Sequence, residues 1–179
     1  MDREKGPGAV TRAPGRVITM VRQTRADVER EKWITCLHES AHVVFAVMNG
    51  RRVRWVTIKP KKMIDSDGSQ WISLGRWDTD DKTNVPSSDT TDIDLIKRHV
   101  YTTLAGPIIE DMITHEKNGG QDMGIAMALC KHYNLNLDEL IEDTTRLVVD
   151  RQNKINALAP LLFEHKTLNE NQINRAISG

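Results

Sequence analysis

Between residues 26 and 49 apolar side chains recur at three- and four-residue steps: Ile34, Leu37, Ala41, Val44, Phe45 and Met48. That spacing makes an amphipathic helix the first element of the fold. Thr24 can cap its start, acidic residues fill its early turns, and Asn49-Gly50 supplies a stop. Beside the stripe lie His38 and His42, one helical turn apart, in the order His38-Glu39-Ser40-Ala41-His42. Side chains four apart share a face, with roughly 5–6 Å between Cβ atoms, so two imidazoles can hold one metal ion. Glu39 projects from a neighbouring face and can reach a metal-activated water without being a ligand. This is the H-E-x-x-H arrangement of zinc metalloproteases, in which the glutamate is the general base. A plain amphipathic helix with two polar residues on its edge accounts for less of the pattern. The expectation is a hydrolase with Glu39 as its catalytic residue.

Length and charge narrow the field further. At 179 residues the chain suits one domain with a tail. A formal net charge of zero speaks against nucleic-acid binding by bulk electrostatics. No apolar run approaches the ~20 residues of a membrane span, and no signal-peptide core follows Met1. A soluble, cytoplasmic protein is expected. Cys36 and Cys130 form no C-x-x-C pair, so neither a disulfide framework nor a cysteine zinc knuckle is indicated. Cys36 points away from His38 on the helix and reads as a small buried hydrophobe.

Residues 1–22, with Gly6, Pro7, Gly8, Pro14 and Gly15 among arginines, read as a flexible tail ahead of one domain over 23–179. Val53 to Pro60 and Gln70 to Leu74 are candidate strands. Asp65 to Gly68 has turn chemistry and would join them as a hairpin. Asp78 to Asp92 is polar, interrupted by Pro86, and reads as a surface loop. A second helix follows a cap at Asp89 to Thr91 and runs to about His115, with Ile93, Ile96, Val100, Leu104, Ile108 and Met112 on one face. Pro107 inside it should kink it, and Gly106 would let another backbone approach. After Lys117 to Gly120 a third helix is expected over about Asp122–Tyr133, one or two more over Leu137–Leu162, and a short last one over Asn169–Ile177. The fold class is therefore α+β, predominantly α-helical, with a small two- or three-stranded sheet.

A catalytic zinc takes three protein ligands and leaves a fourth position open, so one more ligand is needed. His115 and His132 fall near helix C-termini, where an imidazole favours the dipole. His99 and His165 have no motif around them. Two acidic candidates remain: Glu110-Asp111 on the second helix, and Asp122 opening the third, where it could equally be an N-cap. Spacing leaves both open.

Taken in order, the motifs from Leu37 onward resemble the peptidase domain of the FtsH-type AAA+ zinc proteases. The matching pieces are Leu37-His38-Glu39-Ser40-Ala41-His42, then Val56-Thr57-Ile58-Lys59-Pro60, then Leu104-Ala105-Gly106 with Glu110-Asp111. Gly119-Gly120-Gln121-Asp122 is similar to the stretch ending in that family's zinc-binding aspartate, and Leu158 to Ile177 to its closing helix–turn–helix. The resemblance covers about residues 26–179 and implies a zincin-like helical peptidase domain in which Zn2+ is held by His38, His42 and Asp122. Ser40-Ala41 replaces the family's Ala-Gly, both small, and Pro107 replaces a residue that is usually basic. The stretch 78–92 has no counterpart to align. No P-loop run G-x-x-x-x-G-K-[ST] and no membrane span occur in the sequence, so a stand-alone module without the motor is expected.

Such a module would hydrolyse unfolded or flexible proteins, ATP-independently by itself, or borrow a separate unfoldase. Glu110 or Asp111 could fix an imidazole tautomer. An extended substrate would add to the edge of strand 70–74 or 53–59. Trp33 and Trp55 are expected in the core, and Trp71 or Trp77 in a substrate groove. The family's hexameric rings make a homo-oligomer possible, although the ATPase part contributes much of that assembly. Two rival readings are a non-catalytic zinc-containing adaptor that grips peptides, and a structural zinc site. The latter normally closes all four positions, and no fourth ligand is evident.

Overall fold

The structure is a computed structural model that describes residues 24–64, 68–79, 86, 89–115 and 120–179. The tail expected over 1–22, Asp65 to Asp67 of the expected turn, and most of 80–88 lie outside the described residues. The first helix, α1 (Arg25–Met48), begins with a capping box: the Asp27 N–H donates to Thr24 Oγ1, and the Thr24 N–H donates to the Asp27 carboxylate. It ends where the Asn49 N–H donates to Phe45 O and Gly50 adopts φ +80°. Cys36, Leu37, Ala41, Val43, Val44, Phe45 and Ala46 are buried along its second half.

Two small antiparallel sheets follow. β1 (Val53–Thr57) is the middle strand of the first, flanked by β4 (Arg76–Thr79) and β5 (Thr167–Asn169). Val56 faces Trp77 on one side and Leu168 on the other. The second sheet is a hairpin of β2 (Lys61–Ile64) and β3 (Gln70–Ser73), in register Met63 to Trp71. The expected hairpin between 53–60 and 70–74 therefore does not form. Pro60 has no N–H and lies outside both strands, so β1 and β2 are separate segments. β3 pairs with β2 instead. β1 is covered on both sides, which removes it as a substrate edge. β4 also claims Asp78 and Thr79 from the stretch read as loop.

The second long helix, α2 (Ile93–Thr114), is capped by the Asp92 carboxylate on the Leu95 N–H and ends at His115 in the left-handed region. Every residue from Thr102 to Ile109 is buried, and the helix runs through Pro107 unbroken. It packs against α1, against α3 (Gly120–His132) and against α4 (Leu137–Asp150). α5 (Gln152–His165) lies on α1, and α6 (Glu170–Ser178) closes over β1 and α5. The expected 137–162 segment is thus two helices, divided at Arg151. Phe45 and Val44 of α1, Leu104 of α2, Leu158 and Leu162 of α5 and Val56 of β1 belong to one continuous apolar core. The architecture is predominantly α-helical α+β. No described helix is long and apolar enough to cross a membrane.

Candidate metal centre

The middle of α1 is buried, and His42 is only 4 % exposed within it. A buried imidazole must place both ring nitrogens against partners. His42 Nδ1 lies 2.7 Å from Thr102 O on α2, and a carbonyl only accepts, so Nδ1 carries the proton. His38 Nδ1 lies 3.0 Å from Glu110 Oε2, also on α2, and donates to that carboxylate. In the neutral rings both Nε2 atoms are then bare lone pairs. They face each other at 3.0 Å. Asp122 Oδ2, from the first turn of α3, completes the group at 3.1 Å from His38 Nε2 and 3.4 Å from His42 Nε2.

With both rings neutral, three lone pairs converge here in a group that could hold a cation. Donors bound at 2.0–2.1 Å around a tetrahedral zinc stand about 3.3 Å apart. The triangle has edges of 3.0, 3.1 and 3.4 Å, so these residues fit one face of that tetrahedron. Among the described residues no other such group of His, Cys, Asp or Glu converges. Without an ion the titration behaviour instead favours a proton between His38 Nε2 and Asp122, which a metal ion would have to displace. Burial opposes a charged His38, but hydrogen bonds to Asp122 and Glu110 outweigh it and raise its pKa to about 9. Burial likewise opposes a charged Asp122, but the two imidazoles hold its carboxyl well below the usual carboxylate range.

Asp122 is the third residue of α3, not its N-cap; φ of +49° at Gly120 aims the helix start at α1. Glu110, the other acidic candidate, lies on the outer nitrogen of His38. Asp111 does not line the cleft. His115 and His132 sit at the C-terminal ends of α2 and α3 as expected, and His165 ends α5. His99 is held neutral, its pKa lowered to about 4 by burial and by the Arg51 charge.

Glu39 is 7 % exposed and borders a cleft of about 860 Å³ that also reaches His38, His42 and Asp122. Burial raises its pKa, against the pull of His42 and His38. Two glycines shape the centre. A Cβ on Gly75, between β3 and β4, would collide with the Glu39 carboxylate, and one on Gly106 with both Nε2 atoms. Gly106 thus makes room for imidazoles, not for a backbone. Ser73 Oγ braces the corner by donating to Gly75 O at 2.7 Å.

Trp77 of β4 lines the cleft and stacks on His42, ring centroids 6.3 Å apart, with the Arg51 guanidinium 4.9 Å from its own centroid. Trp33 packs edge-on against Phe163 at 5.7 Å, at the margin of the core. Trp55 is only half-buried, its ring 6.0 Å from the Arg76 guanidinium, because β1 turns that face towards solvent. Thr102 O, Gly75 and the Trp77 stack escaped sequence reasoning. A carbonyl carries no residue-specific signal, and the other two depend on β3 and β4 folding back over α1. No protein-family model matches this chain, and no curated protein matches it.

Proposed function

We propose that this chain is a zinc-dependent endopeptidase of FtsH-like, zincin-like type, in which His38, His42 and Asp122 hold the metal and Glu39 is the general base. One observation carries the reading: three lone-pair donors with edges of 3.0, 3.1 and 3.4 Å stand beside a buried glutamate on a cleft. Asp122 is also the acid to which the family resemblance assigns the third ligand. When bound, zinc supplies Lewis acidity, polarising a peptide carbonyl and bringing the pKa of a water towards ~7. Glu39 accepts the proton of the attacking water and returns it to the leaving amine. Its burial makes it a stronger base than an exposed glutamate. Glu110 and Thr102 O fix the imidazole tautomers, so both Nε2 lone pairs stay directed at the metal.

β3 and β4 each pair on one side only among the described residues. An extended peptide can add to such an edge, main chain to main chain, which selects unfolded or flexible proteins. The chemistry needs no ATP; a separate unfoldase would extend it to folded substrates. A cytoplasmic setting belongs to the same proposal, because Cys36 and Cys130 are buried free thiols suited to a reducing compartment.

Metal analysis and casein digestion test the reading. Wild type should carry about one zinc per chain and cleave casein. Glu39→Gln should keep the zinc and lose the cleavage. Asp122→Ala should lose the ion. Zinc without cleavage of any loose substrate would instead make the chain a peptide-binding adaptor, and folded protein unable to take up zinc would overturn both.

A further inference from the structure

The cleft runs along α1 from the start of that helix to the metal centre. Asp27, Arg30, Glu31, Ile34 and His38 line it in turn, at three- and four-residue steps that share one helical face. The stretch of chain ahead of α1 therefore joins the helix, at its cap Thr24, beside the mouth of the cleft. That stretch contains Val17-Ile18-Thr19-Met20-Val21, a mostly β-branched, apolar run between Arg16 and Arg22. Such residues suit a strand. The lengths agree. Thr24 and His38 are fourteen helical residues apart, about 21 Å. Val17 precedes Thr24 by seven residues, which cover about 23 Å when extended. The charges agree as well. Among the described residues lining the cleft, five carboxylates stand against the guanidiniums of Arg30 and Arg76, an excess that one Zn2+ does not cancel. Residues 1–23 carry five Lys and Arg against two acids.

We propose that residues 17–21 of the same chain occupy the cleft as an added strand, so that the protein shields its own metal centre. The open edge of β3 takes their main chain. Ile72 and Leu74, each more than half exposed at the cleft, are covered by their apolar side chains. Arg22, two residues before Thr24, falls near Asp27 and Glu31 at the mouth. Docking needs only the cleft; its consequence, inhibition, rests on the hydrolase reading. A short tether presents the segment at an effective concentration of about 1 mM. If the free segment dissociates at about 0.1 mM, its tethered form excludes competitors about tenfold.

Amide hydrogen exchange on the full chain, zinc-loaded and carrying Glu39→Gln so that the segment stays intact, provides the test. Amides 17–21 should exchange about tenfold more slowly than in the same chain with Ile18→Asp, which places a charge among the carboxylates. A fluorescent peptide copying residues 14–23 should bind the Ile18→Asp chain about tenfold tighter, because its cleft stands open. Arg22→Glu should act in the same direction. With Glu39 restored, Ile18→Asp should cut casein up to about tenfold faster than wild type. Free exchange over 17–21, with equal peptide affinity for both chains, would overturn the docking while casein cleavage leaves the hydrolase standing. Protection without cleavage upholds the docking and removes the hydrolase. Protection that grows with protein concentration would place the segment in a second copy's cleft and overturn the intramolecular form.

Discussion

One methyl group on Gly106 tests the metal centre directly. Both imidazoles pack on this glycine, and a Cβ built there lies 2.6 Å from His38 Nε2 and nearer still to His42 Nε2. Carbon and nitrogen in van der Waals contact stand about 3.5 Å apart, so a ring must retreat by roughly 1 Å. Metal–ligand distances tolerate only about 0.2 Å. Two stability effects oppose each other in Gly106→Ala. Removing a glycine from a helix interior gains up to about 1 kcal/mol, and overpacking costs about 1–3 kcal/mol. The metal-free fold should therefore lose at most about 3 kcal/mol. Zinc affinity carries the larger loss. Disturbing an outer partner costs about 10–100-fold, so displacing a ligand itself should exceed about 100-fold. Competition against a chromogenic chelator measures this, and melting with and without EDTA separates affinity from stability. Gly124→Ala is the control: it lies two residues beyond Asp122 on α3, where a Cβ meets nothing within 4 Å. It should gain about 0.5–1 kcal/mol and bind zinc normally. Wild-type zinc affinity in Gly106→Ala would refute the reasoning.

Glu110→Gln keeps an acceptor for the His38 Nδ1 proton but removes its charge, so zinc affinity should fall about tenfold; Glu110→Ala should approach a hundredfold. The same competition assay reads both. His99 has Nδ1 buried without a hydrogen-bond partner and a pKa lowered to about 4 by burial and Arg51. The unfolded chain takes up that proton near pH ~6.5, so the His99 contribution is complete above that pH and is lost as pH falls towards 4, by up to about 3 kcal/mol. Urea unfolding of wild type and His99→Leu at pH 7 and pH 4.5 checks this. The pH dependence should be shallower in the variant, and equal slopes would discard the assignment.

The helices were legible because each joins a periodic apolar face to a stop or cap. Thr24 makes the expected cap with Asp27, whereas α2 is capped by Asp92, one residue beyond the expected Asp89 to Thr91, because its carboxylate reaches the Leu95 N–H. The small strands were not. Arg76-Trp77-Asp78-Thr79 has no apolar alternation, and Thr167–Asn169 is a strand only because β1 lies beside it. Turn chemistry at 65–68 marks where the chain reverses but not which strands then meet, which is why the hairpin was assigned to the wrong partner. In the candidate metal centre, the proximity of His38, Glu39 and His42 was legible because one helical turn brings them together without tertiary information. The choice between Asp122 and Glu110 depends on how α2 and α3 cross α1, which spacing does not encode. Gly106 was noticed but misread, since a missing side chain does not say what fills its place.

Asp122 has a mechanical consequence as well as a chemical one. α3 carries only two buried residues, Ala126 and Cys130, where α1 carries ten. Its first turn meets α1 through a carboxylate 84 residues along the chain from His38. An ion spanning that gap closes a loop whose closure entropy is roughly 4 kcal/mol, comparable to a structural disulfide. Unlike a disulfide, such a link would be reversible without any redox chemistry. Chelation would then release α3 before the α1–α2–α5 core yields, so supply of the ion would govern how long the chain keeps its shape, apart from any bond it cuts.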